Sequence, residues 1–245
     1  MPEPETIWII GASDGIGAAL ARAWAERGAR LILSARSVER LEELAASLGP
    51  GHQVVGMDIA DRESVNEAAN KISDLGPVDR VVHLAAIYDP GKVADLDPAK
   101  AAQIVTTNLT GSFHLAQVAP SLLKRGGQLA LCGSIAGYLG LPQGQIYSAS
   151  KAGVINLAES LRAELSGRID VRLISPGFVD TRLTRLNAFR MPALVTPQEA
   201  AQQIIKGLLA NRFEVHFPRR LTLPLKLLRS LPYWLSQPLT RRLVQ

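Results

Sequence analysis

Near the start of the chain, Thr6-Ile7-Trp8-Ile9-Ile10 runs directly into Gly11-Ala12-Ser13-Asp14-Gly15-Ile16-Gly17. An alanine-rich stretch follows, from Ala18 to about Arg27. An apolar run, a glycine-rich turn and a helix-forming segment in that order admit few folds. The turn aims backbone N–H groups, including those of Ser13, Asp14 and Ile16, and a helix N-terminus at an anion such as a pyrophosphate. Gly11 permits the tight turn, Gly15 lets the backbone approach phosphates, and Gly17 allows helix and strand to pack closely. The spacing is G-x-x-x-G-x-G rather than the more familiar G-x-G-x-x-G.

The rest of the chain keeps alternating. Strands are predicted at 5–10, 30–34, 53–57, 78–84, 127–133, 169–175 and 213–216. Helices are predicted near 15–27, 37–47, 61–75, 98–124, 146–166 and 197–210. Apolar runs such as Leu31-Ile32-Leu33 suit a parallel sheet covered on both faces. The expected fold is therefore α/β: a doubly wound, Rossmann-like parallel sheet of about seven strands between two helical layers. Ligands bind such sheets beyond the carboxyl ends of the strands, at the point where strand order reverses. The glycine turn, Asp58, Ser134 and Pro176-Gly177 each follow a predicted strand and converge on that edge. Residues 1–217 read as one domain without repeat or linker, and 218–245 as a C-terminal extension.

Tyr147 and Lys151 lie four residues apart in Ile146-Tyr147-Ser148-Ala149-Ser150-Lys151, with Ser134 thirteen residues before the tyrosine. On a helix this spacing puts both side chains on one face. A free phenol titrates near 10. A cation held beside it favours the phenolate and turns tyrosine into an acid or base usable near neutral pH. The Ser134 hydroxyl could polarise a substrate carbonyl at the same place.

From about Thr6 to Val215 the chain resembles the short-chain dehydrogenases/reductases of the compact, single-domain kind. The resemblance rests on Gly11/Gly15/Gly17, Asp58, Asn108, Ser134, Tyr147, Lys151 and Pro176-Gly177-Phe178-Val179-Asp180-Thr181 in that order and spacing. It implies an oxidoreductase that transfers hydride between a nicotinamide and a carbonyl or secondary alcohol, with Asn108, Ser134, Tyr147 and Lys151 as the catalytic set. Asp58 would accept from the adenine amino group, with Ile59 beside it, and Ala85 would line the adenosine side. Lys151 would bind the nicotinamide ribose and lower the Tyr147 pKa. Asn108 would bend its helix and hold a water joining Lys151 to solvent. Pro176, Gly177, Val179 and Thr181 would shape and bind the nicotinamide end.

The second strand ends Leu33-Ser34-Ala35-Arg36. In the resemblance, Ala35 stands where NAD-preferring members place an acid. A neutral residue followed by a guanidinium suits a 2′-phosphate. NADP(H) is the expected cofactor and NAD(H) the alternative. Asp14 is a counter-signal, since some NADP-preferring relatives carry a base there. One departure from the family pattern follows the fourth strand, where His83-Leu84-Ala85-Ala86 replaces the usual Asn-Asn-Ala-Gly. His83 reads as structural, supplying one hydrogen bond in place of an amide.

Two stretches should line the substrate pocket: 137–145, and the lid-like 182–192 with its Leu, Phe, Met and three Arg. They suit an apolar small molecule, with the arginines either meeting an anionic end or solvated. The single Cys132 reads as a buried strand residue; it can form no internal disulfide, which fits a reducing cytoplasm. No His/Cys cluster surrounds it, so no metal is expected. Met1-Pro2-Glu3-Pro4-Glu5 carries two acids and no basic run, so no secretory leader is expected. Residues 218–245 hold six Arg and Lys and no Asp or Glu, a side-chain charge of +6 against +5 for the whole chain, so residues 1–217 carry −1. Leucines, Tyr233 and Trp234 interleave with these bases. That mixture suits packing on the domain, an oligomer interface, or contact with the inner face of an anionic membrane. Pro218, Pro224, Pro232 and Pro238 are expected to break the segment into short pieces. No basic face for nucleic acid shows elsewhere. A homodimer or homotetramer through 98–124 and 146–166 is what the resemblance implies. The alternative functions are a membrane-surface reductase of lipid-like ketones, an acyl-carrier-linked reductase, and a non-catalytic NADP(H)-sensing or scaffold protein.

Overall fold

The computed structural model describes residues 3–187 and 189–242. Ala188, in the lid stretch, and Leu243–Gln245, in the extension, lie outside the described residues, as do the Arg241 and Arg242 side chains. Seven parallel strands form one sheet in the order β3-β2-β1-β4-β5-β6-β7. They are β1 (Thr6–Ile10), β2 (Arg30–Ser34), β3 (Gln53–Val54), β4 (Val78–His83), β5 (Leu123–Cys132), β6 (Asp170–Pro176) and β7 (Glu214–Phe217). Successive side chains on each strand feed opposite faces, as a two-residue period requires. Trp8, Val81, Leu129 and Leu131 enter one core with α3 (Arg62–Leu75), α5 (Gly111–Leu122) and α6 (Gln145–Glu164). Ile7, Ile9, Leu31 and Val82 enter the other with α1 (Gly15–Ala25), α2 (Val38–Leu48) and α7 (Pro197–Leu209). Trp8 is wholly buried and donates its indole N–H to Ser34 Oγ at 2.9 Å, so it brings a large apolar surface inside without stranding its one polar atom.

Strand order reverses between β1 and β4, and the turns leaving those two strands face each other. Ile10 pairs with Ser34 on one side and His83 on the other. Helix α7 starts at a capping box: Glu199 N donates to Thr196 Oγ1 (3.1 Å) and Thr196 N donates to Glu199 Oε2 (2.8 Å). Such a cap contributes about 1 kcal/mol.

Four expectations need correction. The helix predicted over 98–124 is interrupted: α4 (Pro98–Val105) passes through a π-turn at Thr106–Thr110 before α5 resumes and ends at Leu122. β5 therefore starts four residues early, with a register break between Val78 and Arg80 of β4 that ejects 124–127 from the ladder. β3 is shorter than predicted, although Val55 and Met57 still donate to Leu33 and Ala35 carbonyls, each at 3.0 Å. The extension is also more regular than its prolines suggest. It forms α8 (Arg219–Ser230) and α9 (Tyr233–Arg242), with Pro224 and Pro238 inside them. An internal proline costs a helix about 3 kcal/mol. In α8 the loss is offset by packing of Leu225 in the core, by the Thr222 hydroxyl against His216 Nδ1 at 2.7 Å, and by an ion pair between Lys226 and Glu214 of β7.

Candidate active site

A cleft of about 410 Å³ opens at the carboxyl ends of the strands, over the switch between β1 and β4. The glycine turn forms one wall. Gly11 has φ +86°, and a Cβ there would lie 2.6 Å from Ala85 N; one on Gly17 would lie 2.0 Å from Gly11 O. Both positions exclude any side chain. Asp14 caps α1 by accepting from Gly15 N at 2.7 Å, and its other oxygen lies 3.5 Å from Arg182 Nε. The acid is thus directed to a helix cap and a lid arginine. Ser13, Gly15, Ile16, Arg36, Asp58, Ile59 and Ala85 line the same cleft, as do Ser134, Tyr147, Lys151, Pro176, Gly177, Val179 and Thr181. Asp58 Oδ1 also accepts from Ala60 N at 3.0 Å, while the cap of α3 is Asp61.

Of the four predicted catalytic residues, Asn108 alone stands back from the cleft. It sits in the π-turn. Ile87 N donates to its Oδ1 (2.9 Å), and its Nδ2 donates to Ile87 O (3.0 Å) and Ser150 Oγ (3.1 Å). Its amide bonds to these protein partners and ties the loop after β4 to helix α6. The bend it was expected to make in its helix is the π-turn itself.

Ser134 follows β5 and caps a short 3-10 turn, Ile135–Gly137, by accepting from Ala136 N at 3.1 Å. Tyr147 and Lys151 lie one turn apart on α6. The ammonium donates to Cys132 O at 2.7 Å and lies 5.8 Å from the Tyr147 ring centre. The Tyr147 phenol is pushed above its ordinary value, chiefly by burial, with a hydrogen bond to Ser134 pulling the other way. This reverses the direction expected from the Tyr/Lys spacing. The Lys151 ammonium is turned toward a backbone carbonyl, and burial dominates the shift. The same burial holds the Lys151 ammonium below its ordinary value. The arrangement keeps the phenol protonated with a charge one helical turn away. Cys132 is partly exposed at the cleft floor rather than buried.

Against Ser134 and Tyr147 lies a second, smaller pocket of about 140 Å³ with an apolar lining. Leu141, Pro142 and Gly144 come from the first expected stretch, and Leu183, Phe189 and Pro192 from the lid; Leu221 and Leu225 of α8 complete it. No arginine enters the lining. Arg185 pairs with Asp180 at 2.9 Å and Arg182 with Asp14 at 3.5 Å.

His83 is buried at the end of β4, and its Nδ1 has no hydrogen-bond partner among the described residues, contrary to the bond expected of it. Leu84 N still reaches Ile10 O at 2.9 Å, so backbone alone ties this loop to β1. Several residues escaped sequence reasoning. Arg40, in the first turn of α2, lines the cleft with Arg36, and its closeness to Arg36 in sequence was a usable signal. Tyr88 packs edge-on against Tyr147, ring centres 4.8 Å apart, and donates to Asn187 Oδ1 at 2.8 Å. Tyr138 donates to Glu214, which also pairs with Lys226. Burial raises the Glu214 carboxyl, yet the hydrogen bonds from Lys226 and Tyr138 hold it below its ordinary value. Nothing local in sequence marks these long-range contacts.

The short chain dehydrogenase family model matches residues 5–189. The chain belongs to that family. An uncharacterized oxidoreductase of Myxococcus xanthus is 34% identical over 245 residues, covering 97% of each chain. Among solved structures, a short chain dehydrogenase from Burkholderia cenocepacia in complex with NADP superposes with TM-score 0.84 at 26% identity, covering 99% of this chain and 98% of that one. An alcohol dehydrogenase from Thermococcus sibiricus complexed with 5-hydroxy-NADP gives 0.80 at 29%, covering 88% and 96%. This short-chain dehydrogenase is therefore an oxidoreductase with the Rossmann-like architecture of its relatives.

Proposed function

We propose that this short-chain dehydrogenase uses NADP(H) to interconvert an apolar carbonyl compound and its secondary alcohol, with Tyr147 as proton donor and acceptor. The observation that carries the reading is the meeting of Ser134, Tyr147 and Lys151 where the glycine-turn cleft adjoins the apolar pocket. The cleft fits a dinucleotide: Gly11 and Gly17 leave no room for a side chain beside the turn, and the turn opens α1. The backbone of Ser13, Asp14, Gly15 and Ile16 would hold the pyrophosphate, and Asp58 and Ile59 the adenine. Ala85 would flank the adenosine. Lys151 would bind the nicotinamide ribose, with Pro176, Gly177, Val179 and Thr181 around the nicotinamide. No acid follows β2, and Arg36 and Arg40 together offer guanidiniums for a 2′-phosphate. NADP and 5-hydroxy-NADP in the two related structures support that choice.

When bound, the reduced nicotinamide supplies hydride to a carbonyl carbon. Tyr147 donates its phenolic proton to the carbonyl oxygen as that atom gains charge. Ser134 donates a second hydrogen bond to it. Such general-acid help is worth roughly 10²–10⁴ in rate. The Lys151 ammonium stabilises the phenolate left behind. Asn108 is a positioning residue, holding α6 through Ser150 and the Ile87 loop. The apolar pocket favours ketones and alcohols without charge near the reacting carbon. Relatives of this family usually assemble as dimers or tetramers, and the helices proposed to meet are those of 98–124 and 146–166. The single Cys132 suits the cytoplasm.

Comparing kcat/KM for NADPH and NADH over a chain-length series of ketones tests the reading. Arg36→Ala and Arg40→Ala should each lower the NADPH value about 10- to 100-fold, as expected for a charge-assisted bond of about 1.5–3 kcal/mol, and leave NADH unchanged. A strong NADH preference in the wild-type protein would refute the cofactor assignment.

A further inference from the structure

The two C-terminal helices are turned inside out relative to ordinary surface helices. In α8 and α9 the most buried positions include two hydroxyl residues, Thr222 at 0% and Ser236 at 4% exposure. Large apolar residues of the same helices face water: Leu227 is 67% exposed, Trp234 74% and Tyr233 82%, with Leu223, Leu235 and Leu239 also outside. Elsewhere on the molecule exposed large apolar residues are spread along the chain from Val38 to Leu209, whereas these six fall within residues 223–239. Helix α8 is apolar on both sides. Leu221 and Leu225 face inward and close the pocket beside Ser134 and Tyr147, while Leu223 and Leu227, one turn apart, face outward.

The charge on this surface has one sign. Arg219, Arg220 and Arg229 are exposed, and none joins an ion pair among the described residues. No Asp or Glu occurs from Pro218 to the end of the chain. The one base of α8 that is paired, Lys226, serves Glu214 beneath it. Leucines for an acyl layer, a Tyr-Trp pair for the headgroup level and guanidiniums for phosphate meet on adjoining helices. We propose that α8 and α9 dock this protein on the surface of an anionic phospholipid bilayer, with Leu223, Leu227 and Trp234 entering the interface and Arg219, Arg220 and Arg229 meeting lipid phosphates. The helices lie in the interface and do not span, since no described helix is long and apolar enough to cross a membrane. Docking and the pocket wall then belong to one helix.

The test uses the full chain and reads binding, not turnover, so it stands apart from the assignment of the reaction. Co-sedimentation is measured with phosphatidylcholine vesicles and with mixed phosphatidylcholine/phosphatidylglycerol vesicles. Trp8 and Trp24 are buried, so a blue shift of tryptophan emission on adding vesicles reports Trp234. The mixed vesicles should pellet the protein and shift its emission, with binding weakened by added salt. Each of Arg219→Gln, Arg220→Gln and Arg229→Gln should lower vesicle affinity about fivefold. Leu227→Glu with Trp234→Glu, both at exposed sites, should abolish binding while circular dichroism stays unchanged. No pelleting and no shift with mixed vesicles at low salt would overturn the proposal. So would a dimer in solution that Leu227→Glu/Trp234→Glu converts to monomer without any vesicle binding, because a second copy would then cover this face.

Discussion

His83→Asn isolates a cost of acid that the fold of this chain imposes. The imidazole is buried at the end of β4, between Ile10 and Leu131, with Nδ1 unpartnered and the Lys151 ammonium nearby. Burial first, and the Lys151 charge second, bring its pKa down from 6.5 to about 3. In the unfolded chain the ring takes a proton as pH falls below its ordinary value; in the folded chain it stays neutral. Stability is therefore whole above the unfolded value and is lost as pH falls from there through the folded one. The loss amounts to about 1.4 kcal/mol per unit, or about 5 kcal/mol over the full interval, of which about 2 kcal/mol is gone by about pH 5. For a chain of this size that is roughly 4–8 °C in Tm. Asparagine does not titrate, and any fixed cost of the substitution is the same at both pH values. His216, also lowered by burial, contributes equally to both proteins. Melting temperatures of wild type and His83→Asn at about pH 7 and about pH 5 should show the wild type losing roughly 4–8 °C more than the variant. Parallel losses in the two proteins would refute a neutral, buried His83.

Gly17→Ala places a methyl group 2.0 Å from Gly11 O, so the turn must open. Overpacking of that kind costs the fold about 1–3 kcal/mol, a fall of roughly 2–12 °C in Tm, and calorimetric titration on the protein that remains folded should show weaker NADPH binding because the turn has opened. Unchanged affinity would mean that the turn does not cradle the cofactor. Lys226→Met leaves Glu214 under α8 with Tyr138 as its remaining partner. Both side chains are partly exposed, so the cost should be about 2 kcal/mol, below the 3–5 of a fully buried pair; thermal melting should show a fall of about 4–8 °C.

What could be read in the sequence was what local spacing encodes. The glycine turn, the strand alternation and the Tyr147/Lys151 pair depend on periods of two and of about four residues, and the cleft gathers them as those periods require. The π-turn at Thr106–Thr110 has no such period, because it inserts one residue into a helix whose apolar pattern continues on both sides. The direction of Lys151 was equally hidden: its partner is the Cys132 carbonyl, and every residue carries a carbonyl. The Tyr147 shift comes chiefly from burial, and Tyr88, whose ring packs on it, is distant in sequence. Pro224 and Pro238 misled because the helices they interrupt are held by tertiary contacts, including those of Thr222, Leu225 and Ser236.

The proposed role of Tyr147 is to move the proton beside a bound NADPH. Tyr147→Phe removes one hydroxyl and keeps the ring that packs against Tyr88. Single-turnover NADPH oxidation, followed by absorbance with a ketone that the wild type reduces, should be slowed roughly 10²–10⁴-fold, with NADPH affinity unchanged. Turnover close to wild type in Tyr147→Phe would contradict the account.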